Sequence, residues 1–347
     1  MTVERIDIAP GLNVSRIWKG GWHLSGGHGE IDPAAAIDDM RAFAEAGITT
    51  FDVGDIYTGV EQMIGDFRKK HPALAKRIEI NDKAVPDYDA LPTLTAAQIE
   101  ATVDRSIQRL GVPRLDMLQF AWWDTTRGDY IAAAEVYDDL RRRGKARYVG
   151  GINFRTPEIK AMLDAGVKLV SHQIQYSLID DRPERSGHVA LCLKHGIGLT
   201  CYGVVAGGFI SERWLGQPEP APPLANRSLT KYKLIIDDFG GWALFQELLA
   251  ALKRIAGKHR TSIANVAMRA MLDRPGVAAV IIGAVNRNHL ADHIELARVR
   301  LDAADRAAIA AVTAKRKGPE GDVYELERDK SGRHGRIMKY NLNVGRN

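Results

Sequence analysis

Eight short apolar runs, each about the length of a strand and separated by stretches with helical spacing, constrain this chain more than any other feature. In order they read SRIWKGGW, ITTFDV, RIEIND, LDMLQF, ARYVGGI, KLVSHQI, GIGLTCY and AAVIIGA. They do not alternate polar with apolar residues, so they suit strands covered on both faces, and the helices between them imply parallel β-α-β units. Eight such units in one sheet close most simply into an α/β architecture, a (β/α)8 TIM barrel. A chain of 347 residues with 45% hydrophobic content can bury the core this requires.

Caps mark the intervening helices. Asp32-Pro33 opens one that carries Ile37, Met40 and Phe43 and stops at Gly47, while Thr95 with Gln98 forms a capping box ahead of Ile99, Val103, Ile107 and Leu110. Thr156-Pro157 begins another. The chain is expected to be a single barrel domain over 1–347, with RIDIAPGLNVSRI as an N-terminal β-hairpin plugging the floor. Two stretches depart from the regular units: a long loop after strand 7, residues 206–242 with QPEPAPPLANR, and a C-terminal extension, 316–347. Segments of that length are functional or disordered. The part from 318 to 347 either folds over the barrel mouth, bringing Tyr340 or Asn341 to the pocket, or stays disordered.

The formal charge of +5 is mostly local, because from Lys315 onward nine Lys/Arg face five Asp/Glu. That is a basic tail and no nucleic-acid surface. Cys192 and Cys201 sit in apolar surroundings and are expected to be reduced. Neither a signal peptide nor about 18 consecutive apolar residues occurs, so a cytoplasmic protein without a membrane partner is expected.

In a barrel, chemistry collects where strands end at the C-terminal face. Those ends carry Trp22, Asp52 with Tyr57 just beyond, Lys83, Ala121, Asn153, Gln173, Tyr202 and Gly283. Tyrosine donates a proton near neutral pH if a nearby cation lowers its pKa from roughly 10. Lys83 could supply that charge, and Asp52 could hold Lys83 in place and protonated. A buried Asp–Lys pair with Tyr57 at the rim is the structural alternative, although such a pair without function is costly. Asn153 and Gln173, each a plausible core amide alone, together with Tyr202 describe a flat slot: two amides for a carboxamide and an aromatic face for stacking.

These residues resemble the aldo-keto reductase family over nearly the whole chain. FDVGDIY is similar to its F-D-T-A-x-x-Y, NDKAV to its T-K strand end, GGINF to its G-V-S-N-F, HQIQYS to its N-Q-x-x-Y-S and CYGVVAGG to its Y-S-P-L-A-x-G. The resemblance implies a barrel that binds an extended nicotinamide dinucleotide, with Tyr57 as general acid/base tuned by Asp52 and Lys83. Asn153 and Gln173 would hold the carboxamide, Tyr202 would stack on the ring, and Trp22 and Trp122 would meet a small-molecule substrate.

The pattern is broken in three places. The family's fourth catalytic residue is a histidine in D-L-Y-Q-L-H-x-P-D, and DMLQFAWWD puts Ala121 there. Ile152 replaces the serine before the family's asparagine. After the eighth strand, where the family surrounds an adenosine 2′-phosphate, this chain reads Gly283, Ala284, Val285, Arg287, His289 and His293. Positive charge from Arg287 and, if protonated, the two histidines, with a helix N-terminus behind them, would still favour a phosphate, and the resemblance, through the family's usual cofactor, implies NADP(H) ahead of NAD(H).

Losing one positioned donor commonly costs on the order of 10²–10³ in rate, which leaves three readings. The first is a carbonyl/alcohol oxidoreductase lacking its histidine. The second acts on a C=N or conjugated C=C bond, which needs no carbonyl-orienting donor, in an aromatic pocket of Trp22, Trp122 and Trp123. The alternative for Trp122 and Trp123 is packing under the adjacent loop. The third is a nucleotide-binding regulatory subunit with little turnover. His23 and His28 read as solvent-exposed loop residues, and no metal is expected.

Overall fold

The computed structural model describes residues 3–27 and 29–343; His28 lies outside the described residues. Ten strands follow in chain order: β1 (Arg5–Ala9), β2 (Leu12–Ser15), β3 (Ile17–Gly20), β4 (Thr50–Asp52), β5 (Glu79–Ala84), β6 (Leu115–Ala121), β7 (Ala146–Ile152), β8 (Leu169–Gln175), β9 (Gly198–Tyr202) and β10 (Val277–Gly283). β3 to β9 pair in sequence order, and β10 closes the barrel by pairing in parallel with both β9 and β3. All eight apolar runs of the sequence supply barrel strands, as expected of a (β/α)8 TIM barrel.

β1 and β2 form the antiparallel hairpin on the floor. Leu12, Val14 and Ala9 pack with Trp18, Met117 and Ala279 at the bottom of the barrel, and Arg5 bonds Glu79 at the start of β5. Strand alternation then points Asp52, Lys83, Gln119 and Ser171 into the barrel above that plug. Gly150 makes room for them, because a Cβ there would lie 2.3 Å from Ser171 Oγ and 3.1 Å from Gln119 Cγ.

The sequence-marked helices form where their caps place them. Asp32 accepts from Ala34 N at the start of Pro33–Glu45, and Thr95 and Gln98 exchange both bonds of the capping box at Ala96–Leu110. The stretch after β9 is more ordered than a loop: it holds a helix, Arg227–Phe239, capped by Asn226. Tyr232, Ile235, Ile236 and Phe239 are buried on its inner face. A Cβ at Gly203 would lie 2.5 Å from Tyr232 Oη, so the helix rides directly on the turn that leaves β9.

The C-terminal extension, described up to Asn343, brings Tyr324, Ile337, Met338, Lys339 and Leu342 to the barrel mouth. Arg182, 1% exposed, pairs with Asp180 at 2.7 Å and with Glu327 of the extension at 3.1 Å. Burial alone would raise the Glu327 carboxyl, but Arg182 and Lys231 outweigh it and hold the acid down at about 2. Arg328 pairs with Glu158 and donates to Trp122 O, and His334 meets Asp238. Among the described residues no helix is long and apolar enough to cross a membrane.

Candidate active site

A cavity of about 700 Å³ opens at the C-terminal ends of the strands. Its base is polar. Asp52 Oδ1 meets Lys83 Nζ at 2.6 Å, and the Asn81 and Gln173 amides each donate to the same oxygen at 2.7 Å. Asn81 also donates to Gln119 Oε1, and Gln119 to Ser171 Oγ, so the network crosses the barrel interior. Lys83 Nζ donates to Val53 O at 2.9 Å and lies 4.8 Å from the centre of the Tyr57 ring.

Tyr57 follows β4 in a turn held by its own N–H to Gly54 O. Trp22 packs edge-on against it, with ring centres 5.2 Å apart. The expected lowering of the phenol by Lys83 is not met. Burial, reinforced by Asp52, Asp55 and Asp82, pushes the Tyr57 hydroxyl well above its ordinary value. Burial also draws the Lys83 ammonium down while Asp52 acts against that shift. The phenol is therefore neutral around pH 7.

Asn153, Gln173 and Tyr202 come together on one wall. Asn153 adopts φ +60° just past β7, its N–H donates to Gln173 O, and its Oδ1 accepts from Tyr202 Oη at 2.8 Å. With Gln173 Nε2 committed to Asp52, the slot keeps Asn153 Nδ2 as a donor and Gln173 Oε1 as an acceptor among the described residues. That pairing matches the oxygen and NH₂ of a carboxamide, so the residues present fit a nicotinamide.

The wall at β6 and β7 is different. Ala121, 9% exposed, clusters with Ile56, Val85 and Ile152, and Tyr57, Trp123 and Leu342 of the extension pack against them. Trp123 offers this wall no free indole donor, because its Nε1 is bonded to Pro86 O at 2.8 Å. Trp122 reaches the cavity wall, yet its indole is buried beneath the next loop with Nε1 donating to Arg127 O.

Past β10 the residues divide. Gly283, His289 and His293 line the cavity. Gly283 is glycine because a Cβ would lie 2.0 Å from His23 Cε1, which makes His23 a cavity residue instead of an exposed loop one. Burial lowers His293 to about 4, so it is neutral at pH 7 and supplies no charge. Arg287 is turned away, paired with Asp38 at 2.9 Å and Asp39 at 3.4 Å, and is missing from the described residues that line the cavity. The helix beyond, Leu290–Glu295, has six residues.

Sequence reasoning missed the roof. Arg227 lies over Trp22 and donates to Ile337 O, and Lys231 sits 5.0 Å from the Tyr202 ring centre and 5.3 Å from that of Tyr324. The extension adds Tyr324, Ile337, Met338, Lys339 and Leu342 to the lining. Tyr340 instead bonds Glu327 O and Gly335 O, and Asn341 bonds Asp89, so neither of the two expected tail residues faces the cavity. The Asn226 cap and the apolar spacing after it were the available signal for the helix.

A profile of the Aldo/keto reductase family matches residues 16–314. Flagellar radial spoke protein 5 of Chlamydomonas reinhardtii is 27% identical over 308 residues, which cover 70% of this chain and 58% of that longer protein. The NADH-specific methylglyoxal reductase of Escherichia coli is 22% identical over 315 residues, covering 85% of this chain and 93% of the relative. Among solved structures, a thermostable aldo-keto reductase, Tm1743, in complex with the inhibitor epalrestat has a TM-score of 0.70 at 18% identity, over 89% of this chain and 100% of that one. A Bombyx mori aldo-keto reductase in complex with NADP gives 0.68 at 19%, over 90% and 93%. At these identities the structural likeness speaks for the barrel alone.

Proposed function

Since the chain belongs to the aldo/keto reductase family of nicotinamide-dependent oxidoreductases, we propose that it catalyses hydride transfer between NAD(P)(H) and a carbonyl/alcohol pair, with Tyr57 as general acid/base. The observation that carries this reading is Tyr57 beside Lys83, whose ammonium is fixed by Asp52 at the base of the cavity. A nicotinamide held by Asn153 and Gln173 would supply the hydride chemistry at the substrate carbon. The chain supplies the proton: Tyr57 Oη gives it to the carbonyl oxygen, and its raised pKa is no obstacle, since the alkoxide being formed is a far stronger base. Lys83 offsets the negative charge left on the phenol, and Asp52 keeps Lys83 oriented.

Asn153 and Gln173 hold the carboxamide edge in this reading and Tyr202 the ring face, while Trp22 and the Trp122 wall bound the substrate. NADP(H) is the expected cofactor, in line with the NADP held by the Bombyx mori protein, whereas the Escherichia coli relative is NADH-specific. Arg287 decides between them, because it must leave Asp38 and Asp39 to meet a 2′-phosphate. The protein would work in the cytoplasm on a small molecule, without nucleic acid or membrane as partner.

The apolar niche at Ala121 supports a second reading, reduction of a C=N or conjugated C=C bond. Titration with NADPH and NADH by intrinsic fluorescence, followed by nicotinamide oxidation with an aromatic aldehyde, an enone and a cyclic imine, separates the two. Aldehyde turnover that rises in Ala121→His supports the carbonyl reading, and preference of the parent protein for imine or enone supports the second. Tight dinucleotide binding with no turnover on any of them would replace both with a regulatory, nucleotide-sensing role.

A further inference from the structure

Behind the wall that carries Gln173, on the outward face of β8, His172 begins a buried chain of hydrogen bonds that the proposed chemistry does not use. Phe154 N donates to His172 Nε2 at 3.1 Å. A neutral imidazole that accepts at Nε2 carries its proton on Nδ1, and that atom faces His188 Nε2 at 2.7 Å. His188 then carries its own proton on Nδ1, which faces Thr156 Oγ1 at 3.2 Å. Thr156 Oγ1 donates in turn to Asp322 Oδ1 at 3.0 Å, and Thr156 N to Asp322 Oδ2 at 2.8 Å. Every link points the same way, from the backbone after Asn153 to a carboxylate of the C-terminal extension. Ser186 Oγ at 3.4 Å from Thr156 Oγ1 and Cys192 Sγ at 3.4 Å from His188 Nε2 are the chain's looser contacts.

Both histidines are fully buried, and burial holds both below their ordinary range, His188 at about 4, so each is neutral and able to accept at one nitrogen. The peptide they hold matters because Asn153 is in the left-handed region, at φ +60°, which asparagine adopts more readily than other non-glycine residues and which the bonds on either side of it hold in place. Asn153 N is bonded to Gln173 O on one side, and Phe154 N to His172 on the other.

We propose that His172, His188 and Thr156 are positioning residues that make the set of the Asn153 amide depend on docking of the extension at Asp322, so that dinucleotide affinity is coupled to the extension. The inference rests on Asn153 contacting the nicotinamide. The coupling needs no contact between the extension and the cofactor, because Thr156 connects the two in a single turn at the start of the helix Thr156–Asp164.

His172 Nδ1, His188 Nε2 and Cys192 Sγ also lie within 4.8 Å of one another, a spacing that could admit a metal ion. A metal would have to displace the proton between the histidines and one from a thiol that burial pushes up to about 12. The ordered protons are therefore the state that the geometry favours.

Thr156→Val removes the hydroxyl link and keeps the volume, while Thr156→Ser keeps the link. Dinucleotide dissociation constants, thermal midpoints and imidazole ¹⁵N shifts would be measured for both, and for Asp322→Ala, against the parent protein. Thr156→Val and Asp322→Ala are expected to weaken NADPH or NADH binding about tenfold, with KM for the dinucleotide moving more than kcat, and Thr156→Ser to recover most of it. The ¹⁵N shifts should report His172 protonated at Nδ1 alone. Unchanged affinity in Thr156→Val alongside a lower midpoint would reduce the chain to a structural role and overturn the proposal, as would a stoichiometric metal in the purified protein. Absence of dinucleotide binding by the parent protein would instead sink the functional reading on which this inference stands.

Discussion

Two sides of one cavity base treat polarity in opposite ways. Towards β4, β5 and β8, a single carboxylate oxygen of Asp52 gathers the Lys83 ammonium and two amides. Towards β6 and β7, Ala121 and Ile152 continue the same inward layer as hydrocarbon, and the nearby indole N–H of Trp123 is bonded elsewhere. The polar side can hold a proton and release it at one point, and the apolar side can shape a substrate without binding its oxygen. On the proposed reading, the difference separates proton delivery from substrate orientation, two tasks often paired in one site.

Several substitutions test that division. Tyr57→Phe should lower turnover by about 10²–10⁴-fold with dinucleotide affinity nearly unchanged, and an equal loss of affinity would take proton delivery away from the polar side. Lys83→Met leaves Asp52 buried without its cation and should cost about 3–5 kcal/mol of stability in urea unfolding; a loss below ~1 kcal/mol would mean that the amides alone satisfy Asp52. Ala121→His gives the apolar side a donor and should raise aldehyde reduction by roughly 10²–10³-fold, and no gain would show that the niche orients its substrate in another way.

Smaller effects sharpen the comparison. Asn153→Gly keeps the positive φ and removes only the amide, so dinucleotide binding should weaken about tenfold in a fluorescence titration. Behind the polar side, burial and Glu61 raise Asp55 from 3.8 to about 8. The folded protein thus holds that proton more tightly than the unfolded chain, and stability should fall as pH rises between those values. Asp55→Asn should flatten this decline in urea midpoints measured from pH 5 to pH 8, and an identical slope would remove Asp55 as its source.

The barrel was legible because its strands are buried on both faces and therefore read as unbroken apolar runs, with caps such as Asp32 and Thr95 between them. The polar base was legible too, since alternation alone places Asp52, Lys83 and Gln173 inward. The roof was not. Its helix hides behind a proline-rich lead, and the extension is anchored by pairs far apart in sequence, such as Arg182 with Glu327 and Arg328 with Glu158. Charge counting misled at Arg287, where Asp38 and Asp39 neutralise the side chain from another helix. It misled again at Tyr57, because neighbouring ammonium charge was weighed and burial was not.

The hairpin on the floor has a practical corollary. The β1–β2 turn lies at the bottom of the barrel, where Tyr148 and Arg147 grip Pro10 and Gly11, whereas Asn343 bonds Val85 O at the opposite end. A surface linkage placed on the β1–β2 turn would sit on the floor side, at the end away from the mouth. The same attachment joined after Asn343 would crowd the wall that Leu342 and Ala121 share.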